Sequence, residues 1–226
     1  MPTIDVDYPE LERLLNVKLN GDMEKLDDIL SFVKAEVKGF NEKEGSVSIE
    51  MKDTNRPDLW SVEGLSRALN GYLNHQKGIK QYSAEKPTLE VNVDAKLFNI
   101  RPYICCSIIK NVHLSDNIIR GIMHLQEKLD QTNGRNRQKT SIGIYNLDLI
   151  EPPIEYTAVK PEDVSFVPLG FTEKMRSDEI LERHPKGVEY GDIVRKNPLY
   201  PMLFDSKGKV LSFPPIINST DLGKIT

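Results

Sequence analysis

Hydrophobic and polar positions along this chain fall into several distinct rhythms. Asp7-Tyr8-Pro9-Glu10 has the spacing of a capping box with an acidic cap, and predicts a short helix to Leu15. In DMEKLDDILSFVKAEV the apolar residues at 26, 29, 30, 33 and 37 repeat with a helical period, with Asp22 placed to cap them. SVSIEMK, residues 46–52, alternates instead. Val47, Ile49 and Met51 fall on one side, while Ser46, Ser48, Glu50 and Lys52 fall on the other, as in a half-buried strand. Pro57 suits a first helical turn, and the apolar positions at 59, 62, 65, 69 and 73 form one stripe behind it. Residues 74–87 hold few large apolar side chains and end in proline, which puts a domain boundary there and divides the chain into 1–85 and 86–226.

The second part opens on strand patterns at 88–94 and 102–112. An amphipathic helix over 115–130 follows, capped by Ser115 or Asp116, then a basic loop, GRNRQK, and a strand pattern at 140–146. IEYTAVK and VSFVPLGF read as strands, and RSDEILERHP as a short helix stopped near Pro185. PMLFDSKGKVLSFPPIIN has a hairpin pattern with its turn at 205–208. Strands and helices mix without a steady βα alternation. The expected class is α+β, a small N-terminal α/β module followed by a larger domain.

Composition narrows the function classes. The net charge of −4 argues against a strong autonomous nucleic-acid binder, because phosphate binding needs a positive surface. No apolar run reaches the roughly 18 residues of a membrane span, and MPTIDVDYPELERLL lacks the pattern of a signal peptide, so a cytosolic chain is expected. Cys105 and Cys106 are adjacent and read as two small core residues rather than a disulfide or metal framework. His75, His113, His124 and His184 have no partner at metal-ligand spacing and read as surface or helix-end residues. Walker, GxGxxG, HExxH and GxSxG motifs are absent from the sequence.

A few polar residues stand at unusual places. Lys52 ends an alternating strand, Gln126 borders an apolar helical stripe, and Arg135, Arg137 and Lys139 cluster before a strand. Each has a plain reading as a solvated side chain and a sharper one as a phosphate or carbonyl contact. Gly143 interrupts SIGIY, where glycine often marks close approach by a ligand or another backbone. LSFPPIINS, residues 211–219, carries two prolines that donate no N–H to a ladder, then sets Asn218 behind a rigid apolar segment.

Longer motifs go further. KDTNRPDLWSVEGLSRALNGY (52–72) resembles the N-terminal module of the phenylalanyl-tRNA synthetase β subunit, and LSFPPIINS resembles a segment lining that subunit's B3/B4 editing domain. QEKL (126–129) and RQKTSIGIYNLD (137–148) also match, in the right order. The resemblance covers essentially the whole chain and is to the archaeal and eukaryotic type. It implies a B1-like module over 1–85 and a mixed-sheet B3/B4-type editing domain over 86–226, in an N-terminal fragment whose editing domain continues past Thr226.

The family implied is an assembly of two α and two β subunits. Its α subunit holds ATP, Mg2+ and the synthetic site, so no cofactor or metal is expected in this fragment. The α subunit and the 3′ end of phenylalanine tRNA are the implied partners. The editing domain hydrolyses tyrosine wrongly attached to that tRNA. The resemblance puts Leu203 and Ser212 near the ring and hydroxyl, Lys52, Gln126, Arg137 and Asn218 near the ester and terminal adenosine, and Leu169 and Lys224 on the adenosine side. The alternatives are a non-catalytic structural or tRNA-docking portion of the subunit, or a free-standing deacylase. If straight, 212–218 would hold Ser212 and Asn218 about 20 Å apart, at ~3.3 Å per residue. To touch one substrate, the segment must bend at Pro214-Pro215.

Overall fold

The structure, a computed structural model, describes residues 2–73, 75, 78, 79 and 81–225. Two compact units divide it. The first comprises 1–83 with 114–129, and the second 84–113 with 130–226.

The first unit is a three-stranded antiparallel sheet with helices packed on it. Its elements are β1 (Thr3–Asp7), α1 (Tyr8–Leu15), α2 (Met23–Ser31), β2 (Ala35–Asn41), β3 (Ser46–Met51), α3 (Val62–Tyr72) and α4 (Asp116–Gln131), whose last residues enter the second unit. The strand order is β1-β3-β2. Asp7 caps α1 by accepting from the Glu10 N–H at 2.8 Å. An eight-residue helix is too short to persist alone, and a cap contributes about 1 kcal/mol. Leu11 and Leu15, both fully buried, each contribute about 1.5–3 kcal/mol, so packing decides that this helix forms. Val47, Ile49 and Met51 are fully buried, as their alternation predicts.

The helical pattern expected to continue to Val37 breaks earlier. α2 ends at Ser31, and Lys34 turns the chain in the left-handed region at φ 53°. Val37 then pairs with Ile49 in β2. Ala35 and Val37 fit an alternating pattern as well as a helical one, and the waiting edge of β3 selects the strand. Leu125 and Leu129 of α4 pack on the first unit's core, which is why that helix groups with 1–83.

The second unit holds a five-stranded mixed sheet in the order β10-β9-β8-β5-β4. These strands are β4 (Val91–Val93), β5 (Ile154–Val159), β8 (Tyr200–Phe204), β9 (Val210–Phe213) and β10 (Ile217–Asn218). β4 runs parallel to β5, and the other pairs are antiparallel. A small ladder, β6 (Ser165–Phe166) with β7 (Met175–Arg176), leads to α5 (Ser177–Arg183), α6 (Pro185–Tyr190) and α7 (Asp192–Arg195). Pro185 stops α5 and starts α6, since a missing N–H costs nothing at a first helical position. The Asp205 carboxylate accepts from the N–H groups of Lys207 and Lys209 and shapes the β8–β9 turn, where Gly208 takes φ 74°.

Two expected strands are absent. Residues 102–112 and 140–146 carry no regular structure, and Tyr103 and Ile109 are largely exposed. Alternation in sequence does not supply the neighbour that a strand's backbone groups require. Cys105 and Cys106 lie in the first of these segments and are exposed, not core residues. The fold class is α+β, as expected.

Candidate functional site

LSFPPIINS folds back on itself. β9 ends at Phe213, the Pro214–Pro215 bond is cis, and the Ile216 N–H donates to the Phe213 carbonyl at 2.7 Å, closing a tight turn. β10 returns antiparallel at the sheet edge, where prolines cost the ladder least. Asn218 therefore pairs directly with Ser212, and Ser212 pairs on its other side with Leu203. Directly paired Cα atoms lie about 4.5–5.5 Å apart and their side chains share a face. Leu203, Ser212 and Asn218 thus form one row across β8, β9 and β10. The bend at the prolines brings together residues that a straight strand would hold far apart.

Arg137 secures this corner. Its Nη1 donates to the carbonyls of Pro215 and Ile216, both at 3.0 Å. Its Nε lies 3.3 Å from the carboxylate of Asp130, which is 1% exposed, and its guanidinium stacks 4.4 Å from the Tyr190 ring centroid. Arg135, Asn136 and Arg137 all have positive φ, 51°, 52° and 63°. Three consecutive non-glycine residues in that region are costly and need surrounding contacts to hold them. The basic cluster is thus a structural turn, with Arg137 facing inward to the hairpin.

The Asn218 amide donates to the Gly223 carbonyl at 3.2 Å, and the Asn218 carbonyl accepts from the Leu169 N–H at 2.9 Å. A Cβ on Gly223 would stand 2.3 Å from Asn218 Cβ, so only glycine permits this approach. Leu169 and Lys224, the residue after Gly223, are therefore near Asn218, with Lys224 exposed. His184 is buried at the junction of α5 and α6, a helix-end position. Its Nδ1 accepts from the Lys186 N–H at 3.1 Å, so Nε2 carries the proton and donates to the Leu169 carbonyl at 3.1 Å.

Lys52 and Gln126 belong to the first unit. Gln126 is half-buried on α4. Lys52 bridges Glu36 and Glu50, and Lys38 bridges the same two carboxylates. Hydrogen bonds from Lys38 and then Lys52 hold the Glu36 carboxyl at about 2, down from 4.5. A depressed carboxyl stabilises the fold above its unfolded value and loses that contribution as pH falls through its folded value. NMR titration should accordingly find Glu36 ionising near pH 2, with the network's contribution to stability fading between about 4.5 and about 2. A Glu36 midpoint near 4.5 would show that the network does not hold in solution.

Tyr145 is a neighbour of Ser212 that the sequence patterns did not single out. Its hydroxyl lies 2.8 Å from Ser212 Oγ. A Cβ on Gly143 would stand 2.5 Å from that same hydroxyl, so the close approach flagged by this glycine is made by Tyr145 itself. The available signal was an aromatic residue two places after a glycine in an apolar run. A cavity of about 430 Å³ lies elsewhere in the second unit, lined by Gln131, Asn136, Gln138, Glu189, Tyr190, Asp192 and Ile193. Two carboxylates and three amides suit it poorly to an aromatic ring. Among the described residues no group of three or more His, Cys, Asp or Glu side chains is placed to hold a metal ion, and no helix is long and apolar enough to cross a membrane.

Known proteins that this chain resembles include subunits of aminoacyl-tRNA ligases. More particularly, it is 42% identical over 228 aligned residues to the phenylalanine–tRNA ligase β subunit of Thermococcus kodakarensis, a match taking in all of this chain and 39% of the relative. It is equally similar, 42%, to that of Pyrococcus furiosus, covering 40% of that relative. The solved N-terminal fragment of the phenylalanyl-tRNA synthetase β subunit from Pyrococcus horikoshii superposes with a TM-score of 0.93 at 41% identity, over 100% of this chain and 65% of that one. No family model matches the chain. The chain spans about two fifths of the length of these curated relatives. Sequence and fold alike match the N-terminal fragment of archaeal phenylalanine–tRNA ligase β subunits.

Proposed function

We propose that this chain is the corresponding part of a phenylalanine–tRNA ligase β subunit, a B1-like module followed by a B3/B4-type editing domain. On this reading its second unit hydrolyses tyrosine wrongly esterified to phenylalanine tRNA. The observation that carries the proposal is the single row of Leu203, Ser212 and Asn218, in a chain similar throughout to those subunits. An α subunit, ATP with Mg2+ in that subunit, the 3′ end of the tRNA and a cytoplasmic setting follow from the same reading.

Phenylalanine and tyrosine differ by one hydroxyl. An apolar pocket rejects an added hydroxyl by only about 10²-fold, whereas a site built to hydrogen-bond the hydroxyl rejects the analogue lacking it by about 10⁴–10⁵. A second sieve therefore needs an apolar surface for the ring and a polar group at its end. Leu203 supplies the first and Ser212 the second. Asn218 stands one strand further along the row; one of its two amide N–H groups is donated to Gly223, and on this reading the other serves the ester carbonyl. Leu169 and Lys224 flank it on the adenosine side.

The reaction is attack of water on the ester carbonyl. A carbon–oxygen bond to water forms, the bond to the ribose oxygen breaks, and free tyrosine and the 3′ hydroxyl of the tRNA leave. An aminoacyl ester is already activated, so positioning and polarisation of the carbonyl carry the catalysis without a covalent intermediate. Arg137 acts through the corner it holds, as a positioning residue. Hydrolysis of tyrosyl and phenylalanyl esters of the tRNA by the assembled enzyme tests the proposal. Ser212→Ala should erase most of the preference for the tyrosyl ester, and an undiminished preference would remove Ser212 from the site.

A further inference from the structure

The proposed reading assigns Ser212 to the substrate's phenol, yet its hydroxyl already holds one. Tyr145 Oη sits 2.8 Å from Ser212 Oγ, and Ser212 is 2% exposed, so no ligand reaches it while Tyr145 stays in place. The Tyr145 ring packs against the cluster containing Leu97, Tyr156, Leu203 and Leu222, the same apolar surface that a substrate ring would use. Burial pushes the Tyr145 hydroxyl up to about 12, so it is a neutral phenol at physiological pH, the same chemical group as a tyrosyl side chain. The residue sits on a segment, 140–146, that takes part in no sheet ladder. Withdrawing it breaks no strand pairing, and Gly143 beside it has no side chain to obstruct the movement.

We propose that Tyr145 is a resident phenol that fills the amino-acid slot beside Ser212 and yields it to the tyrosyl group of the substrate. The proposal rests on the editing reading above. It makes selection an exchange. When a tyrosyl group enters, one phenol–Ser212 hydrogen bond is lost and another forms. When a phenylalanyl group enters, the buried Ser212 hydroxyl loses its partner and gains none, and that loss opposes entry. The wrong amino acid for the tRNA is thus the one that opens the editing slot.

The test is calorimetric titration of the full chain with two non-hydrolysable mimics of a charged tRNA end, adenosine carrying a tyrosyl or a phenylalanyl group through a 3′ amide. Wild type should bind the tyrosyl mimic more tightly. Tyr145→Phe keeps the ring but leaves Ser212 without its phenol in the closed state. Both mimics should then bind about fivefold more tightly, with their ratio unchanged, as removal of one net hydrogen bond from the closed state requires. A residue that merely supported Ser212 would give weaker binding on the same substitution. Tyrosyl-mimic binding that is unchanged or weaker in Tyr145→Phe overturns the exchange and leaves the editing reading standing. Failure of wild type and Tyr145→Phe alike to bind either mimic overturns the editing reading, and the exchange with it.

Discussion

Arg137→Met should destabilise the second unit by about 3–5 kcal/mol, the cost of breaking a buried ion pair by removing one partner. Asp130 is 1% exposed and the Arg137 side chain 14%, so solvent screening gives little relief. Met keeps most of the side-chain volume, and any residue at 137 meets the same left-handed backbone. The loss then belongs to the guanidinium, through the ion pair taken from the Asp130 carboxylate and the unclaimed carbonyls of Pro215 and Ile216. Denaturant unfolding measures it. Combining the substitution with Asp130→Asn should recover part of the loss, because the buried negative charge that Arg137 paired with is gone. A change below about 0.5 kcal/mol would mark Arg137 as an ordinary surface side chain.

The second large effect belongs to the first unit. Within NRPDLWSVEG, Ser61 caps α3 by accepting from the Gly64 N–H at 3.1 Å, and a single 3-10 turn over Pro57–Leu59 packs on the helix start. A Cβ on Gly64 would stand 1.9 Å from the Asp58 backbone carbonyl oxygen. A backbone carbonyl inside a capped turn cannot swing aside as a flexible side chain can. Gly64→Ala, helpful to helix propensity in isolation, should therefore cost about 3 kcal/mol, at the upper end of overpacking penalties. Thermal unfolding checks this, and a stability equal to or above wild type would show that the turn and the helix are not packed as described.

These two residues show where sequence patterns serve and where they stop. Local rules identified the caps at Asp7 and Asp22, narrowed that of α4 to Ser115 or Asp116, of which Ser115 accepts from the Ile118 N–H, and identified the alternation of 46–51 and the turn at Asp205, because each depends on neighbours within a few positions. The approach of Ser212 and Asn218 was legible because two prolines announce a corner, whereas the pairing of Leu203 with Ser212 comes from a hairpin register that the sequence pattern did not set. Roles that depend on distant partners were not legible. Arg137 reads either as a solvated charge or as a phosphate or carbonyl contact, and the choice is made only by Pro215 and Ile216, almost 80 residues away. Asp130 looks like any polar residue at a helix end. Residues 102–112 and 140–146 have strand composition without a strand partner. The pairing of Lys52 with two carboxylates of its own unit is likewise something alternation alone could not foresee.

Recognition of a tyrosyl hydroxyl by Ser212 is the central claim, and the ratio of hydrolysis rates for tyrosyl and phenylalanyl esters of phenylalanine tRNA measures it most directly. Wild-type assembled enzyme should favour the tyrosyl ester by about 10⁴ or more, as a site built to hydrogen-bond a hydroxyl does. Ser212→Ala should lower that ratio toward the modest values of an apolar pocket. A ratio that stays at its wild-type value in Ser212→Ala would contradict the account.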